Sequence, residues 1–337
     1  MVRVAVYGAS GYTGLELLRL LARHPEAEVT ALVSRQEDRP SIAEVHPSLR
    51  GVLDGLCLES LSPDEVAERA DFAFACLPHA ASAETCAALL GRGLKVVDLS
   101  ADYRLTDRAV YEQWYGVTHP DPERIGKTPY GLPELYRDAI RGASLVANPG
   151  CYPTSAILPL APLLKAGLIA PAGIVVDSAT GVSGGGRTPK PVFHFPEANE
   201  SYMAYGVGTH RHMPEIDQVL GDACGADLEV VFTPHLAPMD RGILSTCYAD
   251  PVGDASSEAL TAALREAYAD EPFVTVVDAS PSTKHVAHTN RVQIFAKRVR
   301  GKAVVVCAID NLIKGASGAA VQNFNLMQGY AETTALD

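Results

Sequence analysis

The sequence predicts two domains of different class. Residues 1–149 read as an α/β domain on a parallel sheet, and residues 150–311 as an α+β domain on a mostly antiparallel sheet. Residues 312–337 supply a helix that returns to the first domain. Three observations carry this. In the first half, short and nearly continuous apolar runs alternate with helical periodicities, the pattern of strands buried on both faces. After residue 151 the strand-like runs lengthen and follow one another with few helices between them. At 337 residues the chain also exceeds what a single core usually serves.

Taken in order, residues 2–7 are an apolar run and residues 15–22 repeat at helical spacing. Residues 28–33, 71–78 ("DFAFACLP") and 94–100 ("LKVVDLS") are further strands, with the alanine-rich stretch 80–90 a helix between the last two. Residues 101–143 break the rhythm with prolines, tyrosines and charges, and read as a long loop excursion. The run 144–147 then leads through "NPGCYPT" into a helix over 154–164. In the second half, 173–181, 228–238, 242–250, 291–299 and 302–310 are strands, 256–268 is a helix, and 315–328 is the closing helix.

Composition narrows the function. With 47% hydrophobic and 20% charged residues the chain fits a soluble globular protein. A net charge of −12 argues against nucleic-acid or anionic-membrane partners. No apolar run reaches the roughly 18 residues of a membrane helix, and "MVRVAVYGAS" begins as a strand rather than a signal peptide. Seven cysteines without close pairing read as reduced thiols in a cytoplasmic protein, not as a disulfide framework or a metal site.

"VAVYGASGYTGLELLRLL" sets Gly8, Gly11 and Gly14 between a strand and a helix, with Ser10, Tyr12 and Thr13 filling the loop. Small residues let backbone approach a pyrophosphate, and the helix N-terminus complements its charge. In this strand–turn–helix context the pattern marks a Rossmann-type dinucleotide site. At the end of the second strand stand Ser34 and Arg35, a hydroxyl and a guanidinium suited to a 2′-phosphate, which favours NADP(H). Arg35 as a plain surface charge, with Asp38 serving NAD, is the alternative.

"NPGCYPTSAILPL" places Cys151 at a stiffened strand-to-helix turn, where the partial positive charge of a helix start favours a thiolate. A nucleophilic thiol also needs a proton acceptor. "GVGTHRHMPEI" supplies His210 and His212, and Pro214 puts His212 at or just before a helix start. There the imidazolium is disfavoured and a neutral ring is left.

"GASGYTGLELLRLL", "DLSADYRL", "YGLPEL", "NPGCYPT", "GVSGGGR", "HRHMPEI", "FTPHLAPMDRGI" and "DNLIKGASGAAVQNFN" together resemble the N-acetyl-γ-glutamyl-phosphate reductase family of arginine synthesis. The match runs in order from residue 3 to about residue 327. The resemblance implies a Rossmann-type domain plus a catalytic and dimerisation domain of the semialdehyde dehydrogenase type. It implies a homodimer or homotetramer. It implies reduction of N-acetyl-γ-glutamyl phosphate by NADPH, giving N-acetylglutamate 5-semialdehyde and inorganic phosphate through a thioacyl enzyme on Cys151. His212 matches the proton-exchanging histidine, with the His210 and His212 roles open to exchange. Arg104 corresponds to a phosphoryl-binding arginine, and Asn148, Glu215 and Arg187 to substrate contacts. Glu215 could equally orient an imidazole, and is otherwise a first-turn acid that complements its helix. Gly184 would lie near the nicotinamide or substrate, and Asn311 would bond the carboxamide. An aspartate-semialdehyde dehydrogenase-like enzyme and a non-catalytic NADP-sensing protein are the competing readings.

Overall fold

The computed structural model describes residues 1–34 and 38–336. The chain divides into two compact units, Met1–Pro149 with Ala316–Asp337, and Gly150–Gly315.

In the first unit the elements run β1 (Val2–Tyr7), α1 (Tyr12–Leu21), β2 (Ala27–Val33), α2 (Ile42–Val45), β3 (Leu58–Glu59), α3 (Pro63–Arg69), β4 (Phe72–Ala75), α4 (Ala83–Leu90), β5 (Lys95–Asp98), α5 (Arg108–Tyr115), α6 (Pro133–Ile140) and β6 (Leu145–Ala147). The six strands form one parallel sheet in the order β3-β2-β1-β4-β5-β6. Alternation decides which side chain meets which layer. Ala5, Tyr7, Ala73 and Ala75 face a core completed by Val66 of α3 and by Cys86 and Leu89 of α4. Phe72 and Phe74 meet Phe324, with ring centroids 4.8 and 5.7 Å apart.

Residues 101–143 depart from the expected loop: they contain α5, α6 and a short 3-10 turn. Each helix is only eight residues long, too short for its period to stand out among the prolines and charges of the segment, and the packing around α5 is largely polar. The Asp102 carboxylate accepts N–H bonds from Ala80, Ser82 and Ala83 and the Tyr111 hydroxyl. Tyr103 Oη donates to Asp121 at 2.7 Å. The side chain of Asp107 caps α5, and Gly116 ends it at φ 71°.

The second unit contains α7 (Cys151–Lys165), β7 (Val175–Thr180), α8 (Phe195–Ala198), β8 (Met203–Ala204), α9 (Met213–Cys224), β9 (Val231–Leu236), β10 (Ile243–Ala249), α10 (Ser257–Ala267), β11 (Val274–Val276), α11 (Thr283–Val286), β12 (Val292–Val299) and β13 (Lys302–Ile309). Its sheet is mixed, in the order β11-β12-β13-β10-β7-β9-β8, with β11–β12 and β7–β9 parallel and the other pairs antiparallel. One face is buried, including Val176, Phe232, Ile243 and Cys247, while Val231 and Tyr248 on the other are 61% and 40% exposed.

Helix α7 is nearly all buried. A hydroxyl chain pins it to the sheet: Ser155 Oγ lies 2.7 Å from Ser245 Oγ, itself 2.6 Å from Ser178 Oγ. Pro162 lacks the N–H that would bond the Leu158 carbonyl. Tyr268 Oη donates to that carbonyl instead, at 2.5 Å. After β13 a π-helical turn, Ile313–Ser317, leads into α12 (Gly318–Gln328) of the first unit.

Candidate functional site

The first unit carries a glycine cradle. Gly8 adopts φ +71°, and a Cβ there would lie 2.1 Å from the Cys76 carbonyl oxygen. A Cβ on Gly14 would lie 2.7 Å from Gly8 O and Ala9 Cα. These positions therefore need glycine. Gly11 is the N-cap of α1, with no side-chain cap and no acid in the first turn. A group with two phosphates fits this arrangement: the helix start presents N–H donors and no competing carboxylate. His46 Nε2 on the Ala9 carbonyl (2.9 Å) and Ser317 Oγ on the Thr13 carbonyl (2.8 Å) hold the loop. Ser34 follows β2, its N–H donating to the Glu59 carbonyl. Arg35 lies outside the described residues.

Arg104 is buried, and two of its N–H groups grip backbone. Nε donates to Asn148 O at 2.7 Å and Nη2 to Leu99 O at 2.9 Å. Asn148 uses both ends of its amide, donating to the Ala316 carbonyl (3.1 Å) and accepting from Asn323 (3.0 Å). Both residues thus fix the strand end that leads toward Cys151.

Within the second unit Cys151 is the first residue of α7, and its N-cap Gly150 brings no side-chain cap. The first turn of α7 itself holds no acid, so no side chain of its own offsets the partial positive charge that favours a thiolate. Glu215, 1% exposed, accepts the Gly150 N–H at 2.8 Å and so ties the start of α7 to the first turn of α9. Gly315 closes over the cysteine: a Cβ there would stand 2.8 Å from Cys151 Cβ.

His212 is the N-cap of α9, and His210 precedes it in a turn where the His210 carbonyl accepts the Met213 N–H. The two rings lie 4.8 Å apart. His210 also has Tyr152, Tyr205 and Phe232 at 5.5, 5.6 and 5.4 Å. Burial, with a smaller push from Arg211, lowers its pKa to about 4. The hydroxyls of Tyr152 and Tyr205 are 3.0 Å apart. Burial raises both phenols, Tyr205 to about 12, and the charge of Cys151 adds to each. The structure therefore brings Cys151, His210, His212 and Glu215 together with an aromatic wall. Sequence reasoning missed Tyr152, Tyr205 and Phe232 as parts of this site. They come from three separate segments, and no local spacing marks them.

Other expected site residues sit in the same unit. Gly184 is exposed in the 3-10 turn Val182–Gly185, where a Cβ would meet Thr180 Oγ1 at 3.1 Å. Arg187 follows it, exposed. Asn311 accepts the Gly242 N–H at 2.7 Å and donates to Ser183 Oγ at 3.0 Å, so it braces the glycine-rich turn from below. Arg241, which the sequence reading passed over, is buried beside Asp310 (Nε to Oδ2 3.6 Å) and His288. Among the described residues no group of His, Cys, Asp and Glu is arranged to hold a metal, and no helix is long and apolar enough to cross a membrane.

Comparison with known proteins matches this division. Residues 3–143 fit the model of the semialdehyde dehydrogenase NAD binding domain, and residues 151–311 that of the semialdehyde dehydrogenase dimerisation domain. The N-acetyl-gamma-glutamyl-phosphate reductase of Rhodopirellula baltica is 55% identical, over 99% of this chain and 98% of that protein. The protein of the same name from Geotalea daltonii is 51% identical, over 100% and 98%. Among solved structures, aspartate semialdehyde dehydrogenase II of Vibrio cholerae, complexed with ASA, shares the fold at TM-score 0.70 and 16% identity, covering 97% of this chain and 98% of that one. The Candida albicans aspartate semialdehyde dehydrogenase with NADP does so at 0.71 and 15%, with the same coverage. The chain belongs to the semialdehyde dehydrogenase family, among its N-acetyl-gamma-glutamyl-phosphate reductases.

Proposed function

We infer that this protein reduces N-acetyl-γ-glutamyl phosphate to N-acetylglutamate 5-semialdehyde and phosphate with NADPH, the third step of arginine biosynthesis. The observation that carries the reading is Cys151 at the start of α7 with two histidines at the start of α9, in a chain half identical along its length to reductases of that name.

In this reading His212 takes the thiol proton and the Cys151 thiolate adds to the acyl carbon. The carbon–oxygen bond to phosphate then breaks, leaving a thioester. Bound NADPH supplies the two electrons, as hydride, that bring the thioester carbon to the aldehyde level. Collapse of the resulting tetrahedral oxyanion breaks the carbon–sulfur bond and returns the electron pair to sulfur, and His212 gives the proton it took back to the thiolate. The glycine cradle of Gly8, Ser10, Gly11, Tyr12, Thr13 and Gly14 holds the pyrophosphate. Gly184 and Asn311 shape the nicotinamide end, and Glu215, Asn148 and Arg187 frame the substrate.

The aspartate-semialdehyde dehydrogenase reading rests on neighbours at 13–19% identity, which speak for the fold alone. Phosphate-dependent reduction of NADP, assayed with each semialdehyde in turn, separates the two. N-acetylglutamate 5-semialdehyde is the expected substrate, and exclusive use of aspartate semialdehyde would reverse the assignment. No turnover with either would leave a nucleotide-sensing protein.

Ser34 and Arg35 read the 2′-phosphate. Arg35→Ala should therefore raise the KM for NADP about ten- to a hundredfold and leave that for NAD nearly unchanged, since one charge-assisted hydrogen bond contributes about 1.5–3 kcal/mol. Equal effects on both cofactors would dismiss the role. Arg104 binds the phosphoryl group while it grips the Asn148 carbonyl. Arg104→Leu should weaken saturation by inorganic phosphate in the reverse direction and also lower Tm. Unchanged phosphate saturation would move the role to Lys127 or Arg187.

The half-exposed face of the second unit's sheet is the surface on which a second copy packs, giving a homodimer or a dimer of dimers in the cytoplasm.

A further inference from the structure

His210 and His212 stand two residues apart, yet the backbone gives them different chemistry. The backbone N–H of His212 donates to His210 Nδ1 at 3.2 Å. An amide N–H only donates, so Nδ1 must carry its lone pair. The three aromatic rings pack around the half-buried His210, and burial with a smaller push from Arg211 brings its pKa to about 4, which leaves the ring neutral in the physiological range. A neutral imidazole carries one proton, and with Nδ1 occupied as acceptor that proton sits on Nε2. The second nitrogen is then a hydrogen-bond donor. It has no lone pair with which to accept a thiol proton.

Two further features hold this tautomer. The His210 carbonyl accepts the Met213 N–H at 3.0 Å, so the turn cannot open without disturbing the start of α9. Gly206 adopts φ +58°, and a Cβ there would come within 3.5 Å of His210 Cβ and Cδ2. The ring is confined on the loop side as well.

We propose that His210 is a neutral hydrogen-bond donor of fixed tautomer, whose Nε2–H holds the acyl oxygen of the substrate while Cys151 adds to the carbon, and that it never acts as the base. Negative charge builds on that oxygen in the tetrahedral intermediate. A preorganised neutral donor stabilises it with little reorganisation. The donor keeps its proton throughout, because losing it would leave an imidazolate. Proton exchange with sulfur then belongs to His212 alone. The identity of the oxygen rests on the reductase reading; the tautomer does not.

The test has two arms. In uniformly 15N-labelled full-length protein, the His210 ring is expected to show the Nε2–H tautomer, unchanged from pH 5 to 9. A proton on Nδ1, or a titration midpoint between pH 6 and 7, would overturn the proposal whatever the substrate. In the second arm, His210→Gln restores an N–H donor and His210→Leu removes it. His210→Gln should keep kcat/KM within about tenfold, while His210→Leu should lose about 10²–10³-fold, the scale for one oxyanion donor. Both variants should keep the acidic limb of the wild-type pH–rate profile. Equal losses in the two variants, or loss of the acidic limb in either, would overturn it. If the NMR result holds and neither semialdehyde is turned over by wild type, the reductase reading fails and the tautomer stands.

Discussion

Cys151→Ser should fold, bind NADP(H) as the wild type does, and lose turnover by about 10⁴-fold or more, the scale on which removal of a nucleophile acts. The reason is local. Position 151 opens an uncapped helix with no acid in its first turn. That setting suits a thiolate, whereas a serine alkoxide is far harder to form. The serine side chain is nearly isosteric, and the Glu215 bond reaches the Gly150 N–H rather than the side chain at 151. The substitution therefore leaves the frame intact, and a thermal melt close to wild type is expected beside the lost activity. Serine-variant turnover near wild type would falsify covalent catalysis.

His212→Asn should cost about 10²–10⁴-fold in kcat, the usual range for one acid–base group. His212 is the N-cap of α9 and so is anchored at a helix end. Asparagine is a good N-cap, which preserves the helix start while it removes the titrating ring. The sign of the pH effect follows from the role. The base must be neutral, so rate falls as pH drops through its pKa in wild type, and the variant should lack that acidic limb. Retention of the limb in His212→Asn, together with its loss in the His210 variants, would exchange the two histidines.

Much of this was legible in the sequence, and the exceptions have physical causes. The parallel sheet could be read because β1 and β4 are buried on both faces and so are apolar at nearly every position. The segment 101–143 could not, because its helices are only eight residues long and a polar cluster of Asp102, Asp121 and Tyr103 takes the place of a continuous apolar face beside α5. The second sheet was expected to be mostly antiparallel, and two parallel pairs interrupt it. Strand pairing at long range has no local signature, and β11 is only three residues long.

The site shows the same division. Cys151, His210 and His212 announce themselves by residue type and by neighbouring prolines. Their surroundings do not. Tyr205 lies in a loop and Phe232 in β9, and only folding brings them to the ring of His210. Gly315 reads in sequence as one small residue among several, and its need to be glycine appears only when Cys151 is seen beneath it. The tautomer of His210 depends on one backbone hydrogen bond that no residue type encodes.

The central claim is that Cys151 carries the acyl group. The most direct measurement mixes wild-type protein with N-acetyl-γ-glutamyl phosphate in the absence of NADPH, quenches in acid, and weighs the intact protein and its peptides. The account predicts one N-acetylglutamyl adduct per chain, on the peptide that contains Cys151, removed by later addition of NADPH and absent from Cys151→Ser. An adduct on another of the seven thiols, or an active wild type that shows none, would contradict it.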